Sequence, residues 1–383
     1  MAVTSHFNLR HYAALAATVR HGSLTRAAKA VNLTQPALTQ AIRRLEDDLG
    51  CALFERRPDG MIATEPGLLL ARRAEEVIDQ IGSTRVTGTQ FSAFLELARA
   101  GSYAMAASNM GLSSASLHRA VSGLSDAVGH RLVERRGRGI MLTPAGQRLA
   151  RRFGLAKAEL RAGLAEVAQW KGEAEGQIAI GAMPLSRARW LPAAIARFGR
   201  EHPGVDIAII EGSYAELSGP LRDGEVDMML GALRADSDAA DLVQEPVFED
   251  RPAIIMRADH PLLEKPGPPN PGTLLEYPWI LPGRSTPLRT YWEAMLRSLD
   301  VEPPHVAIEC GSVLTIRELL LSSDALTLLS TDQLRVEIEG GLLGWCAPPV
   351  PVSRTIGIIT RSGWRPTATQ AACVAELKGF ASE

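Results

Sequence analysis

The sequence predicts an α+β multidomain chain made of two tandem three-helix-and-wing units, two linker helices and a two-lobed α/β module. Three observations carry this. The segment beginning at Gly22 recurs from Gly101, 79 positions later, without a gap. Apolar residues at helical spacing follow each copy. From about residue 175 the pattern changes to short apolar runs alternating with helical stretches.

The chain of 383 residues has room for two or three domains. Its 46% hydrophobic and 22% charged residues are ordinary for a soluble globular protein. No apolar run reaches the roughly 18 residues of a membrane span, and the N-terminus lacks a signal-peptide pattern, so a cytoplasmic location without membrane contact is expected. The cysteines Cys51, Cys310, Cys346 and Cys373 stand far apart, which predicts neither a metal site nor a disulfide framework. The net charge of −2 conceals an asymmetry: residues 1–170 hold 22 Lys+Arg against 14 Asp+Glu, and the remainder is acidic. A basic front half suits contact with a polyanion.

Within the repeat, Leu33/Leu112, Leu38/Leu117, Leu45/Leu124 and Glu55-Arg56-Arg57/Glu134-Arg135-Arg136 coincide. In the first copy Leu9, Tyr12, Leu15 and Val19 follow helical spacing, His21-Gly22 stops that helix, and Ser23 is expected to cap a second over residues 24–31. Thr34 then caps a third helix, with Pro36 tolerated in its first turn. Leu38, Ile42 and Leu45 bury one face of it, leaving Gln35, Thr39, Gln40 and Arg43 outward. This is a helix-turn-helix arrangement, whose second helix enters the major groove of DNA. Gln pairs with adenine, Thr serves several bases, and Arg43, Arg56 and Arg57 suit phosphates or the minor groove.

The stretch FNLRHYAALAATVRHGSLTRAAKAVNLTQPALTQAIRRLEDDLGCALFER resembles the N-terminal domain of LysR-type transcriptional regulators. The resemblance places Thr34, Gln35, Pro36, Thr39 and Arg43 at the major groove, Arg56 and Arg57 at the wing, and Arg26 near the phosphates. The first copy departs from the family in its wing, PDGMIATEPG. The second has the expected RRGRGIMLTPAG, but its third helix opens on Ser113, Ser114, Ala115 and Ser116, with His118 and Arg119 beyond. Either this second unit touches DNA, through Arg119, Arg131, Arg135, Arg136 and Arg138, or it serves as a spacer or dimerisation module.

The expected division is residues 7–66 for the first winged unit, 67–85 for the first linker helix and joint, and 86–145 for the second winged unit. Residues 146–173 follow as a second linker helix, and 175–383 as an effector domain. In that second linker Leu149, Phe153, Ala156, Leu160, Leu164 and Val167 form a seam at coiled-coil spacing. In the resembling family such a helix dimerises subunits; the alternative is packing within one chain.

In the back half, apolar runs at 178–182, 205–210 and 226–233 alternate with helical stretches at 187–200 and 214–223. A second set follows at 252–256, 279–281, 305–309 and 325–329, with helices near 287–299 and 313–322, and residues 354–360 and 366–381 return to the first lobe. A doubly wound, largely parallel sheet is expected. The resemblance makes this a two-lobed, periplasmic-binding-protein-like effector domain, lobe I at about 175–250 and 352–383 and lobe II at about 251–351. Ligands of such sheets sit beyond the carboxyl ends of the strands. The loops there offer Met183, Ser186, Arg187, Ser213, Tyr214, Arg234, Arg284, Ser285, Thr286 and Ser312 as effector contacts. The segments IAIGAMPLSRARWLPAAIARF and EGSYAELSGPLRDGEVDMMLGALR look closest to regulators answering monosaccharides or protocatechuate-like aromatic acids.

No P-loop, nucleophile elbow, HExxH or dinucleotide fingerprint is present, so no enzyme and no cofactor are expected. The expected partners are double-stranded promoter DNA, a small-molecule effector, a second copy in a homodimer or homotetramer, and RNA polymerase as a further candidate.

Overall fold

The computed structural model describes residues 8–57, 60–136, 139–173, 176–234, 240–264 and 267–379. The first unit runs α1 (Leu9–His21), α2 (Leu24–Ala30), α3 (Gln35–Leu49), β1 (Phe54–Arg57), β2 (Gly60–Ala63) and α4 (Glu65–Ile81). The second runs α5 (Gly88–Ala100), α6 (Tyr103–Met110), α7 (Ser114–Val128), β3 (Val133–Arg136), β4 (Gly139–Leu142) and α8 (Pro144–Trp170). Every element of one has its counterpart 79 positions on in the other, apart from the ends of α6 and α8. Each strand pair is a two-stranded antiparallel hairpin.

Local chemistry explains the shared boundaries. Gly22 and Gly101 close α1 and α5 in the left-handed conformation at φ 61° and 65°. Thr34 accepts a hydrogen bond from the Ala37 N–H at the start of α3, and Ser113 does the same from Ser116 at α7. Ser23, expected to cap α2, makes no such bond, whereas its counterpart Ser102 caps α6 by accepting from Met105. Leu38, Ile42 and Leu45 of α3, and Leu117, Val121 and Leu124 of α7, are buried.

The linker helices pack against each other along one continuous apolar core shared by both units. The pairing is antiparallel: Glu65 of α4 accepts from the Trp170 indole, Leu70 faces Gly163, and Asp79 accepts from Arg152 through its carbonyl. At its centre Arg73, 4% exposed, donates to Glu159 at 2.8 Å and to Glu166 at 2.5 Å. Burial by itself lowers the Arg73 pKa, but the hydrogen bonds to Glu166 and Glu159 outweigh it and the net direction is upward.

This arrangement corrects one expectation. The seam residues Leu149, Phe153, Ala156, Leu160 and Val167 are buried, and Leu164 half-buried, within a single chain. Phe153 packs against Phe91 at a tilt of 35° and meets Phe94 edge-on, and α4 supplies Leu70, Ala74 and Val77 to the same core. In this structure the seam is therefore covered by α4 and α5 of the same chain, the within-chain packing that was the alternative.

The C-terminal part begins with β5 (Gly176–Ala182), α9 (Trp190–Glu201), β6 (Val205–Glu211), α10 (Tyr214–Arg222), β7 (Met228–Ala232) and β8 (Leu242–Asp250). It ends with β14 (Arg354–Arg361) and α14 (Ala368–Gly379). These strands form a five-stranded sheet ordered β6-β5-β7-β14-β8. Between them lie β9 (Ala253–Arg257), β10 (Ile280–Leu281), α11 (Pro287–Arg297), β11 (Ile308–Glu309), α12 (Val313–Leu321), β12 (Thr327–Leu329), α13 (Arg335–Glu339) and β13 (Leu343–Cys346). The largely parallel sheet expected from the alternation is corrected to a mixed one. β5 pairs in parallel with β6 and β7, but β14 is antiparallel to β7 and β8. In the second part β12-β9-β13 is antiparallel and β10-β11 is a short parallel pair.

The chain crosses between the two sheet regions twice, after Asp250 and before Arg354. These residues form an ion pair at 2.6 Å with both side chains under 10% exposed. At the opposite end of β8 the five-stranded region docks on α8. Asp241 accepts from Arg151 of α8 and from Arg222, and these bonds hold its carboxyl below the ordinary value of 3.8. Buried Asp227 takes Arg161 of α8 at 2.9 Å and the Ala179 N–H at 2.8 Å. Gly154 of α8 permits the contact, since a Cβ there would meet the Asp223 carbonyl oxygen at 2.2 Å.

Replacing Arg73 with Met strands Glu159 and Glu166 without their cation. Urea unfolding of this variant is expected to show a loss of about 3–5 kcal/mol, and adding Glu159→Gln and Glu166→Gln should recover part of it. An unchanged midpoint in Arg73→Met would show that the ion triad does not hold the linker helices together.

Candidate nucleic-acid interface and effector site

The outward face of α3 is built by what its inward face buries. With Leu38, Ile42 and Leu45 in the core, Thr34, Gln35, Pro36, Gln40 and Arg43 are exposed and Thr39 half-exposed. Gln35, Pro36, Thr39, Gln40, Arg43, Arg44 and Asp47 line one open recess. The Thr25 hydroxyl donates to the Gln35 amide oxygen at 3.4 Å, and the Thr39 hydroxyl bonds back to the Gln35 carbonyl at 2.9 Å, which leaves the Thr39 methyl outward. Arg26, Arg56 and Arg57 are exposed, Arg57 within 3.4 Å of Glu55. Thr25 and Arg44 join the residues named from sequence; Arg44 follows Arg43 in α3, lines the same recess and could have been read there.

The second unit presents a parallel face of different chemistry. Ser113, Ser114, His118 and Arg119 are exposed and Ser116 half-exposed. Arg119 donates to Ser116 at 3.0 Å, and the His118 ring stacks on Tyr103 at 3.5 Å. Arg135 and Arg136 are exposed on the wing strand; Arg138 lies outside the described residues. His118, Ser122, Asp126, His130 and Arg131 line an open recess beside Tyr103.

Both wings are clamped to the helix that follows them by the same contacts. The Thr64 hydroxyl donates to the Ala52 carbonyl at 2.8 Å and Thr143 to Arg131 at 2.7 Å. Gly67 and Gly146 sit so close to the opposing chain that a Cβ would meet the Leu53 oxygen at 2.2 Å or the Leu132 oxygen at 2.1 Å.

The effector candidates fall into two groups. In the first, at the carboxyl ends of β5, β6 and β7, Arg187 pairs with Glu211, Ser213 caps α10 and bonds Glu216, and Arg234 lies 4.1 Å over the Tyr214 ring. Ser186 is corrected as an effector contact: it is fully buried and its hydroxyl is committed to the Met183 carbonyl at 2.8 Å. Met183 is also buried, packed against Gly231. In the second group Arg284 and Ser285 are exposed, the Thr286 hydroxyl donates to the Gly283 carbonyl at 2.8 Å, and Ser312 caps α12. Sequence reasoning missed Arg289 in α11. It is 4% exposed, bonds Glu293 at 3.0 Å, and its Nη1 makes no hydrogen bond among the described residues, lying 3.9 Å from Glu309. A Gly-Arg-Ser-Thr loop opening a helix was its signal, one turn upstream. Among the described residues no cluster of three or more His, Cys, Asp or Glu could hold a metal ion.

The profile described as the LysR substrate binding domain matches residues 171–381, more than half of the chain. That of the bacterial regulatory helix-turn-helix protein, lysR family, matches residues 9–68 and again 89–147. The chain belongs to the LysR family. It is a DNA-binding transcription regulator with a C-terminal effector-binding domain. It is similar to the HTH-type transcriptional regulator GalR of Pseudomonas putida, 30% identical over 98% of each chain. PcaQ of Agrobacterium fabrum is 28% identical over 78% of this chain and 96% of its own. Among solved structures, a full-length OxyR variant from Pseudomonas aeruginosa aligns at a TM-score of 0.57 with 21% identity, covering 76% of this chain and 94% of that one. The LysR family regulator CbnR aligns at 0.56 with 17% identity, covering 77% and 99%. These likenesses concern the fold. No helix among the described residues is long and apolar enough to cross a membrane.

Gly67→Ala is expected to displace the Leu53 carbonyl and cost about 1–3 kcal/mol by overpacking, read in denaturant unfolding, and to weaken DNA binding in a gel-shift titration. Gly199→Ala, in open space on α9, serves as the comparison. Equal midpoints for the two variants would show that the wing tolerates loosening.

Proposed function

We propose that α3 reads base edges through Gln35, Thr39, Gln40 and Arg43, with Thr34 and Pro36 setting its entry and Arg26, Arg56 and Arg57 holding phosphates or the minor groove. The observation that carries this is the outward face of α3, where amide, methyl and guanidinium groups stand along its first half, from Gln35 to Arg43, over a filled core. Such groups match adenine, thymine and guanine edges in the major groove. The gapless correspondence of elements supports reading residues 7–66 and 86–145 as a tandem duplication of one winged unit, with 67–85 and 146–173 as linkers.

Residues 175–383 are read as a two-lobed, periplasmic-binding-protein-like sensor. The paired crossings at Asp250 and Arg354 support a hinge, with lobe I at 175–250 and 352–383 and lobe II at 251–351. The effector is a small polar molecule, an aromatic acid or a monosaccharide, held between Arg187, Ser213, Tyr214 and Arg234 on one side and Arg284, Ser285, Thr286, Arg289 and Ser312 on the other. Guanidinium and hydroxyl groups on both sides support a carboxylate or polyhydroxylated ligand. Lobe closure would act through β8 and β14, which run from the Asp250–Arg354 pair to the Asp241 contact on α8. Such a ligand shifts the regulator only by its differential affinity for the closed form. Assembly into a dimer or tetramer uses surfaces other than the α8 seam, and contact with RNA polymerase is a further part of this reading.

In vitro selection from random duplex DNA tests it. The wild type is expected to enrich one motif, and Gln35→Ala to lose discrimination at one or two of its positions, each worth about 1–3 kcal/mol. Enrichment of nothing by the wild type would overturn sequence-specific reading.

A further inference from the structure

The α4–α8 pair carries more than a hydrophobic core. Arg73 and Arg152 are the same residue of the repeat, 79 positions apart. Arg73 reaches from α4 to Glu159 of α8, and Arg152 reaches from α8 back to the Asp79 carbonyl and to Gly82 at the end of α4. Under a two-fold exchange of the units each contact maps to within about a residue of the other. This pair of contacts is what a local two-fold axis across the antiparallel helices would produce. A two-fold rotation leaves position along its axis unchanged, so under such an axis α3 and α7 stand at the same level on one side of the molecule.

Their spacing follows from helix geometry. Each wing leads directly into its linker helix, at Glu65 and at Pro144. Glu65 is held opposite Trp170 at the far end of the 27-residue α8, and Lys171 just beyond it reaches the Leu49 carbonyl at the end of α3. At 1.5 Å per residue the two wing exits are about 39 Å apart along α8. Successive half-sites of a duplex recur about every 34–36 Å. The faces carried by the units that these exits serve are unlike: Gln35, Thr39, Gln40 and Arg43 in one are replaced by Ser114, His118, Arg119 and Ser122 in the other.

We infer that one chain engages two unlike half-sites one helical turn apart, the first read by α3 and the second held by α7 and its wing through His118, Arg119 and Arg135. This rests on the DNA-reading assignment of α3. A duplication internal to the chain thereby supplies what a two-fold pair of chains supplies elsewhere, and the filled α8 seam is its structural consequence.

The test is hydroxyl-radical footprinting of the full chain on its selected duplex, together with native mass spectrometry of the complex on a duplex trimmed to the two protected patches. Two patches one turn apart and one chain per trimmed duplex are expected. Gln35→Ala should weaken protection within one patch, and Arg119→Ala with Arg135→Ala should lose the other, at a cost of roughly ten-fold or more in affinity. These side chains are exposed, so circular dichroism and the melting temperature should not move. Five base pairs inserted between the patches should weaken binding at least as much. A double variant with wild-type footprint and affinity, or two chains required on the trimmed duplex, would overturn the inference while sensitivity to Gln35→Ala leaves the α3 reading intact. A wild type that protects no defined patch would overturn both.

Discussion

The guanidinium of Arg73 occupies a place where an unpaired charge would be costly. It is almost fully buried between two helices, and only the paired carboxylates of Glu159 and Glu166, with the Arg365 carbonyl at 3.1 Å, offset its desolvation. A buried ion pair adds little net stability over a well-packed apolar one, but it is intolerant of misalignment. Sliding α4 along α8 by one turn would leave one positive and two negative groups without partners. The triad therefore fixes register where the surrounding Leu, Ala and Val contacts would accept several, and that register sets where the two winged units stand relative to each other.

The same helix carries the connection to the sensor. α8 meets α4 with one part of its surface, α5 with another through Phe153, and the five-stranded sheet with a third through Arg151, Gly154 and Arg161. Arg365, in the segment before α14, touches both Glu76 and Arg73. Displacement of the five-stranded sheet region against α8 thus meets the residues that hold α4 and α8 in register. In a close-packed interface such movement is transmitted, because few voids exist to absorb it.

Much of this is legible in the sequence, for identifiable reasons. The α3 face can be read because Leu38, Ile42 and Leu45 state which side is buried, and what remains outward is chemically specific. The α8 seam is legible as a face needing cover, but periodicity does not say which helix covers it; α4 of the same chain does. Arg73 reads as surface charge in Leu70-Ala71-Arg72-Arg73, because its partners lie some 90 residues away. β8 escapes a reading by pattern because LVQEPVFED contains a proline and alternates poorly. It is an edge strand paired only with β14, where a missing N–H is tolerated. Ser186 has the look of a ligand contact because it sits at a strand's carboxyl end, yet the turn after Met183 takes its hydroxyl. Arg289 stays hidden because burial of an arginine in a short helix depends on the packing of β11 and Trp292 against it.

If the Arg73 triad fixes the register of α4 on α8, the linker pair holds the two winged units as one rigid body. The most direct test is a pulsed electron-spin distance measurement between labels at the equivalent exposed positions Lys29 and Ser108, introduced through non-natural residues so that the four cysteines stay untouched. A single narrow distribution is predicted in free protein, unchanged on binding DNA and broadened in Arg73→Met. A broad or multimodal distribution in the wild type, narrowing only on DNA, would contradict it.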